Sequence, residues 1–187
     1  MVYVSLGSNC SITLWLNKLE LRKTAYPFDW ASFTIKHLNS ILRENFSEFV
    51  ETLKILYLSD KHPDESGTPS MLITNKYNIK YAHETITDDI ENFKKSLTAR
   101  IERFYKLSDE ECITYVRIEL SIVKSGYIKE LEELIKMLDL INPRYIIKLI
   151  IHKNSIDICH EKVKIYHFDT FSSDWKMEHL QWKHILM

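Results

Sequence analysis

The sequence predicts a three-layer α/β sandwich of Rossmann-like type built on a mainly parallel sheet. Two observations carry this. Short apolar runs alternate along the chain with longer stretches in which apolar residues recur every three or four positions, the strand-helix order that builds parallel sheets. One run, Ile146-Ile147-Lys148-Leu149-Ile150-Ile151, is apolar on both faces of a strand apart from its lysine, which asks for burial between two layers. An α+β arrangement, with the long helical middle on one face of an antiparallel sheet, is the alternative.

The elements follow in order. Residues 2–6 form a β-branched apolar run stopped by Gly7-Ser8-Asn9, and residues 11–21 then carry Ile12, Trp15, Leu16 and Leu19 at helical spacing, so the chain begins strand, tight turn, helix. Ala25-Tyr26-Pro27-Phe28-Asp29-Trp30 breaks the helical pattern, because proline has no N–H and pushes its predecessor toward extended geometry. Residues 34–53 place Ile35, Leu38, Ile41, Leu42, Phe46, Phe49 and Val50 on one face, as one or two amphipathic helices would. Residues 59–70 gather Asp60, Pro63, Asp64, Ser66, Gly67 and Pro69 without an apolar period and are expected to form a mobile loop, a candidate lid. Residues 71–73 and 77–82 suit the strands of a hairpin that delivers His83, and residues 88–106 have helical spacing. Strands at 112–118, 145–152 and 163–168 and a helix at 127–140 complete the alternation, the helix being broken by Asn142-Pro143. Residues 172–187 read as a short helix or extended tail carrying Trp175 and Trp182.

The length, 187 residues, suits one domain over 1–187, and 45% hydrophobic residues supply a core that needs neither disulfides nor metal. Three glycines and four prolines exclude collagen-like and low-complexity chains. With 25 basic against 26 acidic side chains, nothing electrostatic favours nucleic acid as a partner. Cys10, Cys112 and Cys159 are too few and too scattered for a disulfide framework, which indicates a reducing compartment. The N-terminus lacks a basic leader and no apolar run approaches the ~18 residues of a membrane span, so a cytoplasmic protein without membrane contact is expected.

Cys10 stands where the first strand has ended and the first helix begins. Ligands of open α/β sheets bind outside the carboxyl ends of strands, and a helix N-terminus favours the thiolate, which is the nucleophile. The competing reading is a small buried apolar residue. Gly7, Ser8, Asn9 and Ser11 flank it as oxyanion donors or site lining, with Trp30 nearby in the aromatic loop. Of eight histidines, His37 and His62 read as surface residues. His83 leaves a strand beside Glu84 and is the candidate base; His152 and His167 also end strands and rival it. Asp29, between Phe28 and Trp30, suits an acid that orients the imidazole, or a loop cap. Arg117 ends an apolar strand and either binds an anion or pairs with Asp29 or Glu119; it is expected to meet Asp29 beneath the site. Cys159, His160, His167, His179 and His184 match no standard zinc spacing, so no metal is expected.

Ser5-Leu6-Gly7-Ser8-Asn9-Cys10, Leu21-Arg22, Pro27-Phe28-Asp29-Trp30, Tyr77-Asn78-Ile79 with His83, Arg100-Ile101-Glu102-Arg103-Phe104 and Tyr115-Val116-Arg117 together resemble a family described as papain-like cysteine peptidases, found in bacteria and large DNA viruses. The resemblance runs from Leu6 to Trp182. It implies Cys10 as nucleophile and His83-Glu84 as the His-acid pair, with Glu where Asp is usual, which turns attention to Asp29 as the orienting acid. The family name implies a papain-like α+β fold. The strand-turn-Cys-helix order is instead similar to SGNH-type esterases and to cysteine-containing acyltransferases, and keeps the three-layer expectation.

The expected activity is hydrolysis of an amide, ester or thioester carbonyl in a peptide or small acyl substrate, without cofactor. Alternatives on the same site are an SGNH-like esterase and acyl transfer from coenzyme A, whose phosphates Arg22, Lys23 and Arg117 would meet. A protein-binding module using Trp30, Trp175 and Trp182 is the non-enzymatic alternative. A viral chain would act in the host cytoplasm.

Overall fold

The structure, a computed structural model, describes residues 1–59, 70–85, 89–172 and 174–187. The centre of the expected mobile loop, residues 60–69, lies outside the described residues. The elements run β1 (Val2–Ser5), α1 (Ser11–Lys18), β2 (Ala31–Ser32), α2 (Ile35–Arg43), β3 (Lys54–Ser59), β4 (Ser70–Thr74), β5 (Lys80–Thr85), α3 (Ile90–Tyr105), β6 (Ile113–Ile118), α4 (Gly126–Ile141), β7 (Tyr145–His152), β8 (Val163–Phe168) and α5 (Trp182–Leu186).

Four strands form a parallel sheet in the order β1-β6-β7-β8, and four form an antiparallel sheet in the order β2-β5-β4-β3. The parallel sheet is covered on both faces, as the apolar runs require. Side chains alternate between the faces of a strand. Val4, Ile113, Tyr115, Ile147 and Leu149 therefore face a core shared with Leu38 of α2, Leu97 of α3, Leu134 of α4 and Ile73 and Tyr81 of the second sheet. Val116, Ile118 and Ile150 face the other way, against Ile12 and Leu16 of α1 and Trp182, Ile185 and Leu186 near the C-terminus. This is the three-layer α/β arrangement, with the antiparallel sheet added to one side. Lys148, the polar residue of the β7 run, is buried and donates from Nζ to the Leu186 carbonyl at 2.8 Å, so its ammonium fastens the C-terminal segment to the sheet.

Two stretches depart from the sequence reading. The helical spacing of residues 34–53 holds only for α2, because Asn45, Phe46 and Glu48 adopt left-handed φ of 50°, 58° and 53° and turn the chain. The turns still deliver Phe46 and Phe49 to an aromatic core with Phe28 and Phe104, so the apolar pattern survives without the helix. β2 has only two residues and owes its place to pairing with β5, Ala31 opposite Tyr81 and Ser32 opposite Lys80.

Candidate functional site

β1 runs to the carboxyl edge of the parallel sheet, and Leu6 extends its pairing by donating to the Val116 carbonyl at 2.9 Å. The chain then turns through Gly7 and Ser8 at φ of 69° and 80°. At Gly7 a side chain would run into the Phe33 ring as well as strain the backbone, so this turn requires glycine. Asn9 Oδ1 accepts the Ser11 N–H at 2.7 Å, Ser5 Oγ accepts the Gly7 N–H at 3.2 Å, and Ser32 Oγ donates to the Ser8 carbonyl at 3.1 Å. The amides of Gly7 and Ser11, both candidate oxyanion donors, are thus engaged within the turn. Cys10 emerges as the N-cap residue of α1.

Arg117 underlies this turn. It is fully buried, donating from Nη1 to the Leu6 carbonyl at 2.8 Å, from Nη2 to the Phe33 carbonyl at 3.3 Å and from Nε to Glu119 Oε1 at 2.5 Å. Tyr127 donates to the same carboxylate oxygen at 2.8 Å. The expected Arg117–Asp29 pair does not form; Arg117 takes Glu119, two residues along the strand and on the same face. Asp29, 1% exposed, accepts instead from Arg22 Nε at 2.8 Å, the Tyr26 amide at 2.9 Å and the Thr13 hydroxyl at 3.5 Å. Burial pushes its carboxyl pKa up, against the lowering by Arg22 and the Tyr26 amide. Asp29 therefore caps its own loop and does not orient His83. Of the cations expected to meet coenzyme A, Arg22 holds Asp29 and Arg117 is sealed beneath the turn.

His83 lies on an irregular strand. Tyr81 lies opposite Ile73 and Glu84 opposite Met71, so three steps on β5 match two on β4. Such a bulge breaks the regular alternation of side chains, a device frequent beside active sites. The half-buried imidazole packs against both Trp30, with ring centroids 4.9 Å apart, and Trp175, 4.8 Å away, and the two indoles, 6.5 Å from each other, close a three-ring cluster. Trp30, left-handed at φ 59°, donates its amide to Thr13 Oγ1 at 3.1 Å. Contacts run from α1 to His83: Cys10 heads the helix, Thr13 in its first turn accepts the Trp30 amide, and the Trp30 ring lies against His83. The Glu84 backbone is paired in β5, and its side chain lies outside the described residues.

The thiol differs from expectation. Burial pushes the Cys10 thiol up to about 12, outweighing the lowering by a backbone hydrogen bond. The start of an eight-residue helix does not compensate for desolvation of the anion. Iodoacetamide labelling of Cys10 in the folded protein should therefore rise about tenfold per pH unit through pH 10, since only thiolate reacts. Peptide mapping after timed labelling at each pH measures this, and a plateau below pH 8 would refute it.

Thr13, Ser32, Phe33 and Trp175 contact the candidate residues or the turn, and the sequence reading gave none of them this part. Ser32 and Ser8 are 24 residues apart, and Trp175 showed only as an aromatic of the tail. A cavity of about 530 Å³ opens beside the turn, lined by Ser8, Ser32, Phe33, His37, Lys80 and Glu119 among others. A larger one of about 990 Å³ follows β8 and the C-terminal segment, lined by residues of which none belongs to the Cys10–His83 set. Among the described residues, no group of three or more His, Cys, Asp or Glu is placed to hold a metal ion, and no helix is long and apolar enough to cross a membrane.

Residues 1–154, which include Cys10, Asp29, His83 and Arg117, match the family described as "Putative papain-like cysteine peptidase". An uncharacterised protein of Acanthamoeba polyphaga mimivirus is 30% identical over 217 aligned positions, taking in 100% of this chain and 97% of the relative. With Cys10 on the turn after β1 and a profile match over residues 1–154, the chain belongs to that family.

Proposed function

We propose that the protein is a cysteine hydrolase of peptidase type, with Cys10 as nucleophile and His83 as base, acting on a peptide or small acyl substrate without a cofactor. The observation that supports this is the chain of contacts from the Cys10 turn through Thr13 and Trp30 to His83. Because burial keeps the thiol neutral at rest, its proton moves to His83 as the sulfur attacks. The S–C bond forms while the carbonyl π electrons move to oxygen. Collapse of that oxyanion breaks the bond to the leaving amine, alcohol or thiol, which takes the proton from the imidazolium. Water, deprotonated by the same imidazole, then attacks the thioester carbonyl; the C–S bond breaks, the acid is released and the Cys10 sulfur takes back the proton from the imidazolium. Free Cys10, Cys112 and Cys159 suit a reducing compartment, which favours the cytoplasm as the place of action.

The test is acyl-enzyme trapping. After p-nitrophenyl acetate is mixed with the protein and quenched in acid, peptide mapping should find acetyl on Cys10, and Cys10→Ala should abolish that adduct. Acetyl confined to lysines or to exposed Cys159 would overturn the reading and favour a binding module.

A further inference from the structure

We propose that Trp175 is a positioning residue of this site: with Trp30 it packs against the His83 imidazole and stabilises the imidazolium formed when Cys10 gives up its proton. The inference rests on the hydrolase reading. In a Cys-His mechanism a third group commonly fixes the imidazole and steadies its cation, a task usually given to a carboxylate. The imidazole has indoles at 4.9 Å and 4.8 Å, inside the roughly 6 Å over which an aromatic ring attracts a cation.

Both residues sit on backbone anchored by bonds that do not involve His83. Trp30 is tied to Thr13 through its amide. Trp175 precedes Lys176, whose carbonyl accepts Trp15 Nε1–H at 2.8 Å and whose amide donates to Asp174 Oδ1 at 2.9 Å. The segment is fixed further on, where Trp182 Nε1 donates to the Met177 carbonyl at 2.8 Å and Trp182 stacks on Trp15 at 5.9 Å. Trp175 also lies beyond residues 1–154, the part matching the family profile. The C-terminal segment thus supplies a site residue from outside the region that holds Cys10 and His83.

Three variants test this with p-nitrophenyl acetate as substrate. Trp175→Ala and Trp175→Leu should each lower kcat about tenfold with KM within about twofold, and Trp175→Phe should restore most of kcat, because an aromatic face and not bulk is required. In proton NMR the His83 ring resonances should move in Trp175→Ala and Trp175→Leu as the indole ring current is lost. Unchanged kcat in both, failure of Phe to rescue, or a rise in KM alone would overturn the proposal. Full turnover by His83→Ala would sink the hydrolase reading, whereas the NMR shift reports the Trp175–His83 contact whatever that variant does.

Discussion

Cys10→Ser and His83→Ala should each lower turnover of p-nitrophenyl acetate by about 10³-fold, and the double variant should be no slower than the slower single one. The non-additivity is the informative part. A neutral, desolvated thiol cannot attack without a base, and the base has no proton to accept without the thiol, so the two act as one unit. A pair that merely lay near each other would contribute independently, and the losses would multiply. Steady-state kinetics on the two single variants and the double distinguish these outcomes. Multiplying losses, or a His83→Ala enzyme as fast as the parent, would remove His83 from the mechanism. Serine at position 10 is the sharper substitution because it preserves the N-cap geometry of α1 while replacing the nucleophile.

The parts of this site legible in the sequence are those set by local patterns. Residues 2–11 announce strand, tight turn and helix because apolar alternation, Gly7 and the helical spacing of Ile12 and Leu16 are all short-range signals. The continuous apolar run of β7 likewise states that its sheet is covered on both faces, and it is. Partner choice among the charges was not legible. Two arginines and two acids were available near the turn, and the exchange that occurs, Arg22 with Asp29 and Arg117 with Glu119, depends on which group each backbone brings close. Half of it was readable, since residues 117 and 119 of one strand must share a face. The thiol's direction was misjudged because a helix start is visible in sequence while the packing that desolvates Cys10 is not. The Trp175 contact with His83 joins positions 92 residues apart and left no local trace.

Arg117→Met should destabilise the fold by about 3–5 kcal/mol, because it strands the Glu119 carboxylate and removes a donor each from the Leu6 and Phe33 carbonyls. Arg117 is 0% exposed and the Glu119 side chain only 12%, so water from the neighbouring cavity compensates the lost partner only in part. Much of the penalty belongs to the uncompensated charge and not to the bond itself. Adding Glu119→Gln should therefore recover about 2 kcal/mol, since the amide oxygen still accepts from Tyr127 while the stranded charge disappears. Urea unfolding of both variants measures the difference from midpoints at a common slope. Under conditions where Arg117→Met remains folded, turnover should fall far less than in Cys10→Ser, because the guanidinium buttresses the Leu6 carbonyl behind the turn and touches no reacting atom. If Glu119→Gln gives no recovery, the buried pair does not govern stability at the turn. If Arg117→Met abolishes turnover in a fully folded protein, the guanidinium belongs to the chemistry and not to the foundation beneath it.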